Sequence, residues 1–217
     1  SATVYDSTNF ETGINFRPVS ENCQVWNTSN PYWTTKLLIE NILKDLSKFS
    51  GFNVENLRYF NPVWSHKSWF IWENPEWTPN NLLPFILKVA TWELEILNVF
   101  WGDYDTIDGT WVRDYIDVVD LIDWHLKAYK KLESNICKNW FFDSFNLWTW
   151  KWTSVLEMIE ISKKITRKDI KYKIEPRRNW DLAEVYCNPS KAMNELWWKS
   201  KTSLEESIKN SWDFYNK

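Results

Sequence analysis

TTKLLIENILKDLSKFSGFNVENLRYF, the stretch from Thr34 to Phe60, holds two hydrophobic periods in succession. Leu38, Ile42, Leu46 and Phe49 recur at helical spacing, which predicts a helix over residues 34–49. From Phe52 to Phe60 the apolar positions Val54, Leu57 and Tyr59 read as a strand. The alternation continues downstream. Residues 80–91 read as a helix, Ile96–Phe100 and Val112–Ile116 as strands, and residues 119–132 as a helix carrying Val119, Ile122, Leu126 and Tyr129. Phe145-Asn146-Leu147 is strand-like. Ser154 with Glu157 forms a capping box ahead of Val155, Leu156 and Ile159. Tyr172–Glu175 follows as a strand, and Asn188-Pro189 has the form of a helix start, a cap and then proline. Ser203 with Glu206 makes a second capping box before Leu204, Ile208, Trp212 and Tyr215. Upstream, Ser1-Ala2-Thr3-Val4-Tyr5 reads as the end of a strand. Strands alternating with helices predict an α/β protein.

The chain has 217 residues, of which 44% are hydrophobic and 25% charged, so a packed core is within reach. Its 26 basic and 29 acidic residues give a net charge of −3, which argues against a phosphate-tracking surface and a nucleic-acid partner. The most apolar stretch, Leu82–Val99, is interrupted by Lys88, Glu93 and Glu95 and falls short of the ~18 residues of a membrane span. Cys23, Cys137 and Cys187 lie far apart, which fits free thiols in a reducing, cytoplasmic setting. With His66 and His125 as the only histidines, no metal site is expected. The chain begins without methionine and reads as part of a longer protein.

Tryptophan and glycine are out of proportion, at 18 and 4 residues. Average glycine usage would supply roughly 15 in a chain of this length. Many of the tryptophans fall in turn-like surroundings. Trp148, Trp150 and Trp152 alternate through one turn, Trp180 follows Arg177-Arg178-Asn179, and Trp72 and Trp77 bracket Glu73-Asn74-Pro75-Glu76. Turns favour glycine because the backbone there often needs a positive φ.

Tyr32-x-x-x-Lys36 carries chemistry. Four residues apart on a helix, the two side chains share a face. An ammonium beside a phenol stabilises the phenolate, the form that takes up a proton as a general base. The spacing alone also suits an ordinary surface pair. Ser1 lies some thirty residues earlier, at the end of the expected strand, an arrangement that resembles the short-chain dehydrogenases/reductases.

A longer ordered string sharpens this. Arg58-Tyr59-Phe60-Asn61-Pro62-Val63, Ser65-His66, Pro79-Asn80-Asn81-Leu82-Leu83-Pro84, Asp108-Gly109-Thr110 and Val112-Arg113-Asp114-Tyr115-Ile116 occur in sequence. Asp120-Leu121, Asn146-Leu147, Thr153-Ser154-Val155, Pro176-Arg177-Arg178 and Asp181 follow. From Ser1 to Trp212 the chain resembles the UDP-glucose 4-epimerases (UDP-galactose 4-epimerases), extended short-chain dehydrogenases/reductases.

The resemblance implies an α/β fold in which residues 1–62 end a Rossmann-type NAD-binding domain. Residues 63–217 would form a smaller UDP-sugar domain, with segments around 112–147 packing back. It implies NAD as cofactor, a UDP-hexose as substrate, no membrane, and a homodimer at full length. Tyr32 would take the proton of the sugar 4-hydroxyl, Ser1 would bond the same oxygen, and Lys36 would hold the cofactor ribose. Phe60 would lie against the nicotinamide. Asn61, Asn81 and Asp181 would bind the diphosphate, uracil or ribose. Asn98, Val99 and Phe100 would line the uracil pocket, Arg113 and Arg178 would pair with the diphosphate, and Val185 would wall the sugar. Singly, Asn81 also suits a helix cap, Arg178 a surface charge and Phe60 the core. The glycine-rich phosphate loop of the family precedes Ser1, so the chain alone is expected to be inactive. Asp117 departs from the histidine of many members. Sixteen of the 18 tryptophans, Trp198 and Trp212 excepted, stand where the family usually carries glycine. That matches decoding of UGA, read as tryptophan in some genetic codes and as glycine in others. Two other readings compete, a dehydratase or decarboxylase of the same superfamily and a tryptophan-rich carbohydrate-binding module.

Overall fold

The computed structural model describes residues 2–5, 18–25, 28, 30–68, 70–73, 81–100, 102–135, 140–176 and 183–216. In chain order the elements are α1 (Pro31–Ser50), β1 (Asn53–Tyr59), β2 (Asn61–Val63), α2 (Leu82–Ala90), β3 (Leu97–Phe100), β4 (Val112–Asp117) and α3 (Val118–Ser134). Then come β5 (Phe141–Leu147), β6 (Trp152–Ser154), α4 (Val155–Thr166), β7 (Tyr172–Glu175), β8 (Glu184–Val185), α5 (Ser190–Leu196) and α6 (Leu204–Tyr215). The chain is α/β with parallel strand pairs. It forms two compact units, each assembled from separated stretches of sequence. One comprises Ser1–Phe60, Leu121–Trp150 and Val185–Lys199, the other Asn61–Asp120, Lys151–Glu184 and Ser200–Lys217.

In the first unit β1 and β5 pair in parallel, in register from Asn53↔Phe141 to Tyr59↔Leu147. Helix α1 begins with Pro31 and ends at Gly51, whose φ of 72° lets its N–H reach the Ser47 carbonyl at 3.1 Å. Its inward face is Leu37, Glu40 and Ser47, and the Ser47 hydroxyl donates to the Phe141 carbonyl at 2.9 Å. The stripe that revealed the helix points outward instead: Leu38, Ile42, Leu46 and Phe49 are all exposed. Helix α3 repeats this, with Leu121, Trp124 and Ala128 buried and Val119, Ile122, Leu126 and Tyr129 exposed.

Two local expectations are corrected. Ala2–Val4 is a short 3-10 turn, not a strand end. Val4 and Tyr5 are buried there, and the Tyr5 hydroxyl donates to Asn146 Oδ1 at 2.6 Å, a tertiary bond that outweighs the β-propensity of Thr3-Val4-Tyr5. Helix α5 starts one residue later than expected. Pro189 is its cap residue, and Asn188 Oδ1 accepts the Ser190 N–H at 2.8 Å.

In the second unit β2 pairs in parallel with β4, β4 antiparallel with β6, and β3 in parallel with β7. Its core joins Val63, Ile86, Leu87, Val99, Met158 and Ile208. Both expected serine caps form. Ser154 accepts the Glu157 N–H at 3.0 Å and Ser203 the Glu206 N–H at 3.1 Å. Ahead of β4, Asp108 accepts from the Thr110 N–H at 2.9 Å and from its hydroxyl at 2.6 Å, and Ser154 donates to the same carboxylate. Among the described residues no helix is long and apolar enough to cross a membrane. Among the same residues no group of three or more His, Cys, Asp or Glu side chains is placed to hold a metal ion.

Candidate functional site

The first turns of α1 carry the Tyr-Lys pair. Asn30 Oδ1 accepts the Trp33 N–H at 3.0 Å, and Pro31 fixes the entry of the helix. Tyr32 and Lys36 then stand on one face, with Lys36 Nζ 5.2 Å from the centroid of the Tyr32 ring. The Tyr32 side chain is 58% exposed, so its hydroxyl is free to meet a ligand. Lys36 also opens onto a cleft of about 320 Å³ lined by Glu40, Glu55, Asn56, Tyr59 and His125. Tyr32 does not line this cleft; the Lys36 ammonium does, as a donor of the kind that suits ribose hydroxyls.

Behind this helix runs a buried polar framework that the sequence reading passed over. Tyr5 donates to Asn146, Asn146 Nδ2 donates to the Val19 carbonyl at 3.2 Å, and the Asn146 N–H donates to Glu21 at 2.8 Å. Arg58 donates to the Tyr5 hydroxyl at 3.0 Å. Burial pushes the Tyr5 hydroxyl well above the usual phenol range, although Arg58 opposes this, so it remains a donor. The available signal was an arginine and an asparagine at strand positions between apolar neighbours, Leu57-Arg58-Tyr59 and Phe145-Asn146-Leu147. Phe60 closes the end of β1, half-buried and edge-on to Trp148, with ring centroids 4.3 Å apart.

In the second unit Asn61 and Asn81 line one cleft of about 70 Å³, together with Glu73, Trp111 and Tyr115. Asn61 Nδ2 donates to the Asp114 carbonyl at 3.1 Å, and Asn81 Nδ2 to Glu73 at 2.8 Å. Asn81 is also the cap residue of α2, but its side chain makes no capping bond. The Tyr115 hydroxyl is buried and has no hydrogen-bond partner among the described residues. Burial raises it above the usual phenol range, so it keeps its proton. Arg113 lies 4.7 Å over the Trp111 ring and donates to the carbonyls of Val112 and Ala183. On β3, Val99 is buried, Asn98 exposed and Phe100 half-buried. None of these three, nor Arg113, lines the cleft of Asn61 and Asn81. Val185 ends β8, half-buried. Ser1, Arg178 and Asp181 lie outside the described residues.

The profile of the GDP-mannose 4,6 dehydratase family matches residues 14–211. A UDP-glucose 4-epimerase of Pasteurella multocida is 43% identical over 218 residues, covering 100% of this chain and 62% of that protein. The solved UDP-glucose 4-epimerase of Stenotrophomonas maltophila, with bound NAD and formylated UDP-arabinopyranose, matches with a TM-score of 0.87 at 36% identity. That of Bifidobacterium longum, in complex with NAD+ and UDP, matches at 0.86 and 37%. Each match covers 98% of this chain and 62% of the solved one. The chain thus spans less than two thirds of these relatives. On the profile match, and on a fold shared with solved epimerases, the chain belongs to the GDP-mannose 4,6 dehydratase family within the extended short-chain dehydrogenases/reductases.

Proposed function

We propose that the chain carries the proton-transfer and nucleotide-sugar groups of an NAD-dependent UDP-hexose 4-epimerase. The observation that carries this is the Tyr32–Lys36 pair at the start of α1, in a chain similar along its whole length to UDP-glucose 4-epimerases. NAD, when bound, supplies a hydride acceptor and donor for the sugar C4. The chain's own groups do the rest. Tyr32 takes the proton of the sugar 4-hydroxyl and returns it. Lys36 stabilises the phenolate and donates to the ribose of the cofactor. Ser1 bonds the same sugar oxygen and Phe60 lies beside the nicotinamide. Asn61, Asn81 and Asp181 bind the nucleotide, Asn98, Val99 and Phe100 shape the uracil side, and Arg113 and Arg178 neutralise the diphosphate. Residues 1–62 belong to the NAD domain and residues 63–217 mainly to the UDP-sugar domain, with segments around 112–147 packing back on the NAD part. The active form is a cytoplasmic homodimer.

The test is made on the full-length protein. Tyr32→Phe should lower interconversion of UDP-glucose and UDP-galactose by ~10²–10⁴ while NAD stays bound. Lys36→Met should cost comparably and weaken NAD as well. Near-wild-type turnover of Tyr32→Phe would remove Tyr32 from its role. The family profile, described by a dehydratase, favours a second reading as a nucleotide-sugar dehydratase. Loss of water from the sugar, instead of inversion at C4, would establish that reading.

A further inference from the structure

Trp92, Trp150 and Trp197 share a backbone conformation that suits glycine. Their φ angles are 66°, 65° and 51°, all in the left-handed region. The glycines Gly51 and Gly109 occupy the same region at 72° and 78°. Among the described residues four non-glycine positions have positive φ, and three of them are tryptophan. A Cβ in this region crowds the backbone, and a bulky aromatic residue there is an outlier.

Each position has the local role that glycine fills. Trp92 lies just past α2, and its N–H bonds the Val89 carbonyl at 3.1 Å while the Leu94 N–H bonds Lys88 at 3.0 Å. That is the helix-ending turn whose left-handed residue is usually glycine. Trp197 is the left-handed cap that ends α5. Trp150 turns the chain between β5 and β6. Packing does not compensate, since the three side chains are 66%, 85% and 42% exposed for Trp92, Trp197 and Trp150. The Trp150 indole has a contact to Met193 Sδ at 3.3 Å.

We propose that the native polypeptide has glycine at positions 92, 150 and 197, because the organism that carries the gene decodes their codon, UGA, as glycine. The composition agrees, with 18 tryptophans against 4 glycines. A reassigned codon acts wherever it occurs, so every other tryptophan written by that codon changes with these three. Trp64, Trp72 and Trp111 wall the cleft of Asn61, Asn81 and Tyr115, and glycine at those positions would widen it. Only what that cleft binds rests on the proposed epimerase function.

The test is peptide sequencing by mass spectrometry of the protein purified from cells that naturally encode it, beside the gene sequence. UGA codons and glycine peptides at 92, 150 and 197 are the expected result. Tryptophan in the native peptide at any of the three overturns the proposal, as does UGG in the gene. A second measurement uses the chain as written. Trp92→Gly, Trp150→Gly and Trp197→Gly should each raise the urea midpoint, and alanine at the same position should raise it less, because alanine keeps the Cβ. Alanine matching glycine at all three positions removes the backbone argument and the proposal with it. Neither readout involves epimerase activity, so a failed activity assay leaves both standing.

Discussion

Glu40 and Arg58 form a two-point ion pair in the interior of the first unit. Arg58 Nε donates to Oε1 at 3.0 Å and Nη2 to Oε2 at 2.6 Å, with Glu40 8% and Arg58 5% exposed. The pair fastens α1, which carries Tyr32 and Lys36, to β1. Burial works against the guanidinium charge, but the Glu40 and Tyr5 bonds prevail and hold Arg58 above its usual range. Glu40→Gln keeps the shape and removes the charge, leaving a buried cation without its counterion. We expect a loss of about 3–5 kcal/mol, read as a lowered urea midpoint. Combining Glu40→Gln with Arg58→Met should cost less than the two changes summed. Simple additivity would show that the pair is not coupled.

Gly109 tolerates no side chain. Its φ is 78°, and a Cβ there would stand 2.1 Å from the Gly102 carbonyl oxygen. The obstacle is backbone, which cannot rotate aside. Gly109→Ala should destabilise by more than the ~1–3 kcal/mol of left-handed strain alone. It should also loosen the Asp108–Thr110 turn that precedes β4. An unchanged urea midpoint would contradict this geometry.

Glu55 should make stability depend on pH. Both carboxyl oxygens are buried without a hydrogen-bond partner among the described residues, and Asp143 is its partner in the register of β1 and β5. Burial, reinforced by Asp143 and opposed by Lys131, raises its pKa from the usual 4.5 to about 7. The folded state therefore binds this proton more tightly than the unfolded chain does. The stability it contributes is full below pH 4.5 and is lost as pH rises from 4.5 to about 7. Glu55→Gln should match the parent chain at pH 4.5 and exceed it at pH 8, measured as urea midpoints. Parallel pH profiles for the two chains would sink the assignment.

What was legible in the sequence was local. A helix brings Tyr32 and Lys36 to one face whatever surrounds it, so their spacing sufficed. The serine caps at Ser154 and Ser203 need three consecutive peptide units and no distant partner. The buried face of α1 was not legible, because Leu37 and Leu38 are both apolar and point to different sides. The Tyr5–Asn146 bond joins residues 141 positions apart, beyond any window of periodicity. The same holds for the interleaving of the two units. The shared cleft of Asn61 and Asn81 was not legible either: the resemblance named both asparagines, but neither has a spacing that marks a ligand or joins it to the other.

Sugar size offers the sharpest test of register. In the resembling epimerases, a residue nine positions after the equivalent of Pro176 walls the pocket near the sugar C2. A tyrosine there admits a hydroxyl only, and a small residue admits an N-acetyl group. The resemblance makes that residue Val185, with Tyr186 beside it, so a slip of one would reverse the conclusion. The structure separates the two neighbours. Tyr186 packs with the cluster of Tyr5, Val19, Trp148 and Cys187, its ring 6.2 Å from that of Trp148. Val185 is half-buried at the end of β8 and is not part of this cluster. Tyr186 is thus engaged by this cluster, which supports the proposal that Val185 is the residue at the sugar. The full-length enzyme should interconvert UDP-GlcNAc and UDP-GalNAc as well as UDP-glucose and UDP-galactose. Val185→Tyr should cut the N-acetyl reaction by about 10²-fold and spare the other, because the clash falls on one substrate. Inability of the unmutated enzyme to turn over UDP-GlcNAc would show that Val185 is not the gate.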